Sequence, residues 1–234
     1  MLMKLSKVYE TLSASEVFTY DMADESGDIL PRYRRRITTL INSGLSDLYQ
    51  RFSIKEGVLD LGVTKDVQHY VLSADVLEVL RMTTPEGKVY NLNSVTSSLT
   101  PTSGPYGNVS PYSSNPSLCH ASYNELFFSH VPCAGVYRIV YKVDATHISL
   151  DAIDTIDPKT VEIPLPLTYL NALCYYVAAK VYNPAGAESV ARSMFHEGNN
   201  WRSMYEDECN RLKANLAGAK SFNEVSNFTR GGWV

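Results

Sequence analysis

Cys119, His120, His130 and Cys133 place two cysteines and two histidines within fifteen residues. Four such soft ligands can satisfy zinc, and an open zinc site would supply an activated water for hydrolysis. The spacing argues against it. An adjacent Cys and His rarely point the same way, and no C-x2-C or H-x3-H step is present to build a tetrahedron. The simpler reading is a strand or turn made by Phe127, Phe128 and Val131 with surface imidazoles around it. Asp151, Asp154 and Asp157 recur every third residue, but they lack the glycine and terminal glutamate of a calcium loop, so a solvated strand end is expected. His69, His147 and His196 are isolated. No GxSxG, GxxxxGK[ST], HExxH or GxGxxG after a strand occurs. Neither a catalytic constellation nor a metal or other cofactor is expected.

Other residues suit binding better than chemistry. Arg32, Arg34, Arg35 and Arg36 cluster in RYRRR at the start of a helical pattern. Basic groups are not favoured at the positive end of a helix dipole, so the cluster is either a partner contact or a solvated, salt-bridged face. Tyr106 and Tyr112 sit within NSVTSSLTPTSGPYGNVSPYSSNPS, the centre of a 36-residue stretch without Asp, Glu, Lys or Arg. A loop this long in a compact domain is commonly functional or a flexible insertion. The chain ends in AKSFNEVSNFTRGGWV, where Phe222, Val225, Phe228, Trp233 and Val234 are spaced apolar anchors without a helical or strand period. Burying one such aromatic contributes roughly 4 to 6 kcal/mol as an upper bound. Ordering the backbone costs about 1 to 2 kcal/mol per residue, so a single docking tail would hold weakly unless repeated around a ring.

Composition bounds the rest. The chain has 234 residues, 44% hydrophobic and 20% charged, enough for a sizeable core and too polar for a membrane protein. Its formal charge of −4 provides no general attraction for nucleic acid or anionic lipid. The N-terminus lacks an apolar signal core, so the mature chain is expected to start near Met1. The apolar run from Ile163 to Ala179 contains two prolines and is too short to span a bilayer, and reads as a buried helix. Cys119, Cys133, Cys174 and Cys209 are far apart without a secretory signal, which suggests free thiols in a reducing cytoplasm.

These groups must be positioned by identifiable elements. Ile37, Leu40, Ile41, Leu45, Leu48 and Phe52 recur at helical spacing from Pro31, and a shorter helix is expected over Leu12 to Ala23, capped by Ser13 or Ser15. Strand signals follow. One hairpin is expected between Val76–Met82 and Val89–Leu92 around Pro85, Glu86 and Gly87, and another between Tyr137–Val143 and Ile148–Ala152 around Asp144 to Thr146. Helical stripes return at Leu167, Leu170, Cys174, Val177 and Val181, then from Pro184 to a stop at Gly218. Unbroken, that last helix would span roughly 50 Å, so either Gly198, Asn199 and Asn200 interrupt it or neighbouring subunits cover its ends. The expected fold class is α+β: N- and C-terminal helices forming a bundle, a β-rich insert lobe, and an extended C-terminal tail. The expected divisions are 1–57, 58–163 with the Ser/Pro loop at 93–117, 164–218, and 219–234.

The layout resembles the head-to-tail adaptor (connector) proteins of short-tailed bacteriophages, the group that includes tail tubular protein A. The resemblance is carried by RRRITTLINSGLSDLYQRF, the β insert, PLPLTYLNALCYYVAAKVYNPAGAESVARSMF, NNWRSMYEDECNRLKANLAG and FTRGGWV. It implies a structural virion protein of the tail or neck, assembled in the host cytoplasm, that forms a twelve-fold ring between the portal protein and the tail nozzle protein. DNA would pass through the lumen without sequence-specific binding. Phe222, Phe228, Arg230, Trp233 and Val234 would anchor the portal contact, with Gly231 and Gly232 letting the backbone bend. Tyr106 and Tyr112 would face the nozzle or a neighbour. The free protein is expected to be monomeric or weakly associated until it meets the portal. The alternative is a carbohydrate- or receptor-binding β module using the loop tyrosines for stacking.

Overall fold

The computed structural model describes residues 3–14, 22–24, 28–90, 119–122, 124–128, 132–182 and 192–228. In chain order these form β1 (Met3–Lys4), α1 (Leu5–Ala14), α2 (Pro31–Arg51), β2 (Glu56–Val63), β3 (His69–Val71), β4 (Val76–Thr83), β5 (Val89–Tyr90), β6 (Cys119–Ser122), β7 (Glu125–Phe128), β8 (Gly135–Val143), β9 (Glu162–Ile163), α3 (Leu170–Tyr182) and α4 (Arg192–Phe228). The protein is mixed α+β, with four helices and small antiparallel sheets among the described residues. It divides into a helical unit, Met1–Phe52 with Ala145–Val234, and a sheet unit, Ser53–Asp144.

In the helical unit α3 packs against each of α1, α2 and α4. Helix α2 begins where a proline fits the first turn, and Ile37, Ile41, Leu45 and Leu48 supply its buried stripe. Gly44 lies on the same helix, where a Cβ would stand 2.7 Å from Leu173 Cδ1, so its small size sets how closely α2 and α3 approach. Helix α1 starts earlier than the expected Leu12–Ala23. Leu5, Val8, Tyr9 and Leu12 form its buried face, Ser13 bonds back to the Glu10 carbonyl rather than capping, and Ala23 pairs with Ile29 in an isolated bridge. The residues between Ser15 and Asp21 lie outside the described set. Strand β1 pairs antiparallel with β9, and Tyr9 meets Thr38 across α1 and α2 at 2.8 Å.

The hairpin expected across Asp144 to Thr146 does not form. Both edges of β8 are occupied, by β2 and by β4. Downstream, the Asn42 side chain accepts from the Ile148 N–H at 2.8 Å and donates to the Ile148 carbonyl at 2.9 Å. An amide side chain on α2 thus takes both backbone groups a strand partner would have used. Of the alternating residues Ile148 is buried, Leu150 half-buried and Ala152 exposed, and burial resumes at Ile153, so the segment is an irregular strap lashed to α2 and not a strand.

Helix α4 removes one alternative and corrects one expectation. It runs through Gly198, Asn199 and Asn200 without interruption, and it passes Gly218 to reach Phe228, so residues 219 to 228 are helical, not extended. Glycine inside a helix costs only about 1 kcal/mol, and Ala217 and Ala219 on either side are the strongest helix formers. The cap expected at Asn183 lies outside the described residues.

The sheet unit holds a four-stranded sheet ordered β2-β8-β4-β5 and a three-stranded sheet ordered β3-β7-β6, all pairs antiparallel. The turn between β4 and β5 follows the sequence reading: the Gly87 N–H donates to the Thr84 carbonyl, and Gly87 takes φ +81°, a conformation that favours glycine. Phe128 anchors the core, meeting Tyr70 and Tyr137 edge-on at 5.8 and 5.9 Å among buried Met82, Leu126 and Ile139. Lys142 is buried on β8, in register with Glu56 and Glu78, and donates to Glu78 at 3.2 Å.

Candidate functional site

The most developed polar arrangement lies in the helical unit, where α2, α3 and α4 enclose a cavity of about 200 Å³. Asp47 and Arg51 sit one turn apart at the end of α2, Tyr176, Ala179 and Lys180 come from α3, and Gly198, Arg202, Tyr205 and Glu206 from α4. Arg51 is its centre. Its two terminal nitrogens donate to the two Glu206 oxygens at 2.6 and 2.9 Å, and its Nε approaches Asp47 at 2.6 Å. Bidentate pairing fixes orientation as well as adding energy. The Tyr205 hydroxyl donates to Asp47, and the Arg51 guanidinium lies 5.0 Å from the Tyr205 ring centre. Tyr176 meets Tyr205 edge-on at 5.4 Å.

Each ionisation follows its surroundings. The Arg51 hydrogen bonds hold Glu206 below the usual carboxylate range, and the same pairing raises Arg51 further, so both stay charged. Burial, then the bond to Asp47, pushes the Tyr205 phenol well above its ordinary value. Cys174 is raised to about 12 by burial, and Cys209 is also raised chiefly by burial, so neither thiol is a ready nucleophile. The cluster is built to hold three helices in one geometry.

Two of the four clustered arginines are engaged within the chain. Arg34 donates to the carbonyls of Ile29, Asp154 and Ile156 at 3.1 to 3.4 Å, and Arg35 to that of Leu150 at 3.4 Å. They satisfy carbonyls of the segment on α2, which gives a folding reason for cations at a helix start. Arg32 stacks over Tyr33 at 4.8 Å, and Arg32 and Arg36 are exposed. Asp157 is used locally, accepting from the Lys159 N–H at 3.0 Å. Cys119 and His120 occupy consecutive positions of β6; Cys133 is exposed and His130 is outside the described residues. Among the described residues no three His, Cys, Asp or Glu groups gather as a metal site. Phe222 and Phe228 belong to α4, whereas Tyr106, Tyr112, Arg230, Gly231, Gly232, Trp233 and Val234 lie outside the described residues.

Sequence reasoning missed the Arg51 cluster. Asp47 and Arg51 show the i,i+4 spacing of a helical ion pair, which was visible, but Glu206 is 155 residues further on and announces nothing locally.

What fold and site define is a scaffold, with a long helix braced against two others in one unit and antiparallel sheets in the other. Comparison with known families gives it a place. A family model described as SU10 adaptor protein matches residues 13–225, most of the chain. The chain belongs to the SU10 adaptor protein family, a family of phage head-to-tail adaptors. It is therefore a structural adaptor of the phage neck, a role that entails contact with portal and tail proteins. No curated protein matches it. No helix among the described residues is long and apolar enough to cross a membrane.

Proposed function

We infer that copies of this chain form a ring, twelve-fold by resemblance to tail tubular protein A-like connectors, between the portal and the tail nozzle of a virion. The ring is a conduit for genome ejection, through which DNA passes without base-specific contacts. The family match over residues 13–225 carries the reading. The geometry of α4 supports it. The helix has 37 residues, about 55 Å at 1.5 Å per residue, while its partner α3 has 13 residues and covers about 20 Å. Trp201, Tyr205, Cys209 and Leu212 form its described buried stripe, and Leu216, one turn on, is 46% exposed. A helix braced at Trp201 to Leu212 and much longer than its partner suits a chain that reaches into another protein.

The portal contact is assigned to Phe222, Phe228, Arg230, Trp233 and Val234, with Gly231 and Gly232 as the bend. The first two sit on the helical extension, which lowers the ordering cost of docking because that backbone is already fixed. Tyr106 and Tyr112 face the nozzle or a neighbouring copy, and Arg32 and Arg36 are exposed to a partner. Assembly takes place in the host cytoplasm from free chains that are monomeric or weakly associated.

Deleting Phe228 to Val234 should leave a folded chain that no longer joins portal-containing heads in a pull-down. Full retention of binding by the truncated chain would overturn the assignment. Light scattering should show a small species alone and a large ring only with portal; a stable ring without portal would refute assembly on the portal.

A further inference from the structure

The cavity between α2, α3 and α4 is not neutral from within. Three cations and two carboxylates line it, one positive charge in excess. Both carboxylates are already used. Glu206 gives each oxygen to Arg51, and Asp47 accepts from Arg51 Nε and from Tyr205. Those contacts also occupy Arg51. Lys180 and Arg202 remain. Lys180 stands 5.6 Å from the Tyr176 ring centre, and Arg202 acts on Glu206 only through space; neither forms a salt bridge with another described residue. Both are exposed, so they can meet an incoming group.

We propose that this recess is a receptor for a single carboxylate carried by a partner protein, an aspartate or glutamate side chain of an acidic segment seated between Lys180 and Arg202. The excess of one positive charge matches one carboxylate. A volume of about 200 Å³ admits the end of a side chain. Tyr176, Ala179 and Gly198 form walls of low polarity, which strengthen an ion pair relative to open water. The Arg51 cluster fixes α2 against α4, so the recess is held before a ligand arrives. Duplex DNA fits poorly, because its phosphates lie on a rigid convex rod and the recess already carries two carboxylates. The proposal is independent of the ring: it concerns an acidic partner segment, and its test uses the free chain.

The test is calorimetric titration of the full chain at low salt with hexaglutamate, with inorganic phosphate, and with a short DNA duplex. Hexaglutamate is expected to bind once per chain, and the double variant Lys180→Gln with Arg202→Gln to weaken it roughly tenfold or more. Lys65→Gln, an exposed cation of the sheet unit outside the recess, is expected to leave the affinity within about twofold. Circular dichroism melting of each variant establishes that the fold is intact. Wild-type affinity in the double variant would overturn the proposal. Phosphate binding as tightly as the peptide would reduce the recess to an adventitious ion site only. Tighter binding of the duplex would assign it to nucleic acid.

Discussion

The helical and sheet units hold together by different means. In the sheet unit, backbone ladders set the register and an apolar cluster around Phe128 fills the space beneath. In the helical unit, side-chain bonds join residues far apart in sequence: Arg51 to Glu206 across 155 positions, Asn42 to Ile148 across 106. An apolar interface tolerates small shifts and rotations, whereas a bidentate ion pair or paired amide accepts one geometry. A helix that must present its far end to another protein gains from that kind of restraint. The general lesson is that packing supplies most of the cohesion while polar pairs select the arrangement.

The largest expected effect tests the apolar side. Phe128→Ala removes a fully buried ring from the sheet unit and should destabilise it by about 3 to 5 kcal/mol. Hydrogen exchange should lose protection in β3, β7 and β8 while α2 and α3 keep theirs. Simultaneous loss in both units would mean they unfold as one, and the contrast would dissolve.

Arg51→Met tests the polar side. It keeps much of the side-chain bulk and leaves Glu206 without its partner and Asp47 with Tyr205 alone, for an expected cost of about 1.5 to 3 kcal/mol. Exchange should rise at the end of α2 and around Tyr205 on α4, with the sheet unit unchanged. An unaltered melting temperature would show that helix packing alone sets the arrangement. Asn42→Ala is a smaller step, about 1 to 2 kcal/mol, since it strands the N–H and carbonyl of Ile148 at the surface of α2. Proteolysis should then cut between Ala145 and Asp157 before any other described segment.

The same contrast explains what could be read from the sequence. Helix α2 was legible because Ile37, Ile41, Leu45 and Leu48 repeat within the helix itself and Pro31 marks its start. The β4–β5 turn was legible because proline and glycine carry their backbone preferences locally. The helical extension to Phe228 was not, because Gly218 reads as a stop although nothing around it forces one. The segment after β8 does not follow its apolar alternation because Asn42 and Arg35 on α2 take its backbone groups and bury Ile148 and Ile153, while Ala152 is exposed. The Arg51–Glu206 pair had no local signature at all. The likeness to head-to-tail adaptors was legible because RRRITTLINSGLSDLYQRF and the paired-helix segments carry it along the chain without any long-range contact, and the family match over residues 13–225 agrees with it.

Acid titration separates the two units by the smallest effect. Glu206 is held below its ordinary value by the Arg51 hydrogen bonds, and Asp75 by the Ser73 hydroxyl and then by Tyr141. A carboxylate whose folded pKa is depressed contributes stability that is complete above its unfolded value, about 4.3 for Glu and 3.9 for Asp. That stability is lost as pH falls through the folded value, and below both it contributes nothing. The Glu206 side chain is 44% exposed, so screening keeps its share near the roughly 0.2 to 1 kcal/mol of solvent-exposed pairs. Glu206→Gln should therefore flatten the acid slope of stability in the helical unit alone, and Asp75→Asn that in the sheet unit alone. Following amide exchange of each unit from neutral to acid pH in both variants reads the two slopes separately. A change in both units from either substitution would show that the polar bracing and the apolar core answer to one cooperative transition, and that the restraint on α4 is shared with the sheet.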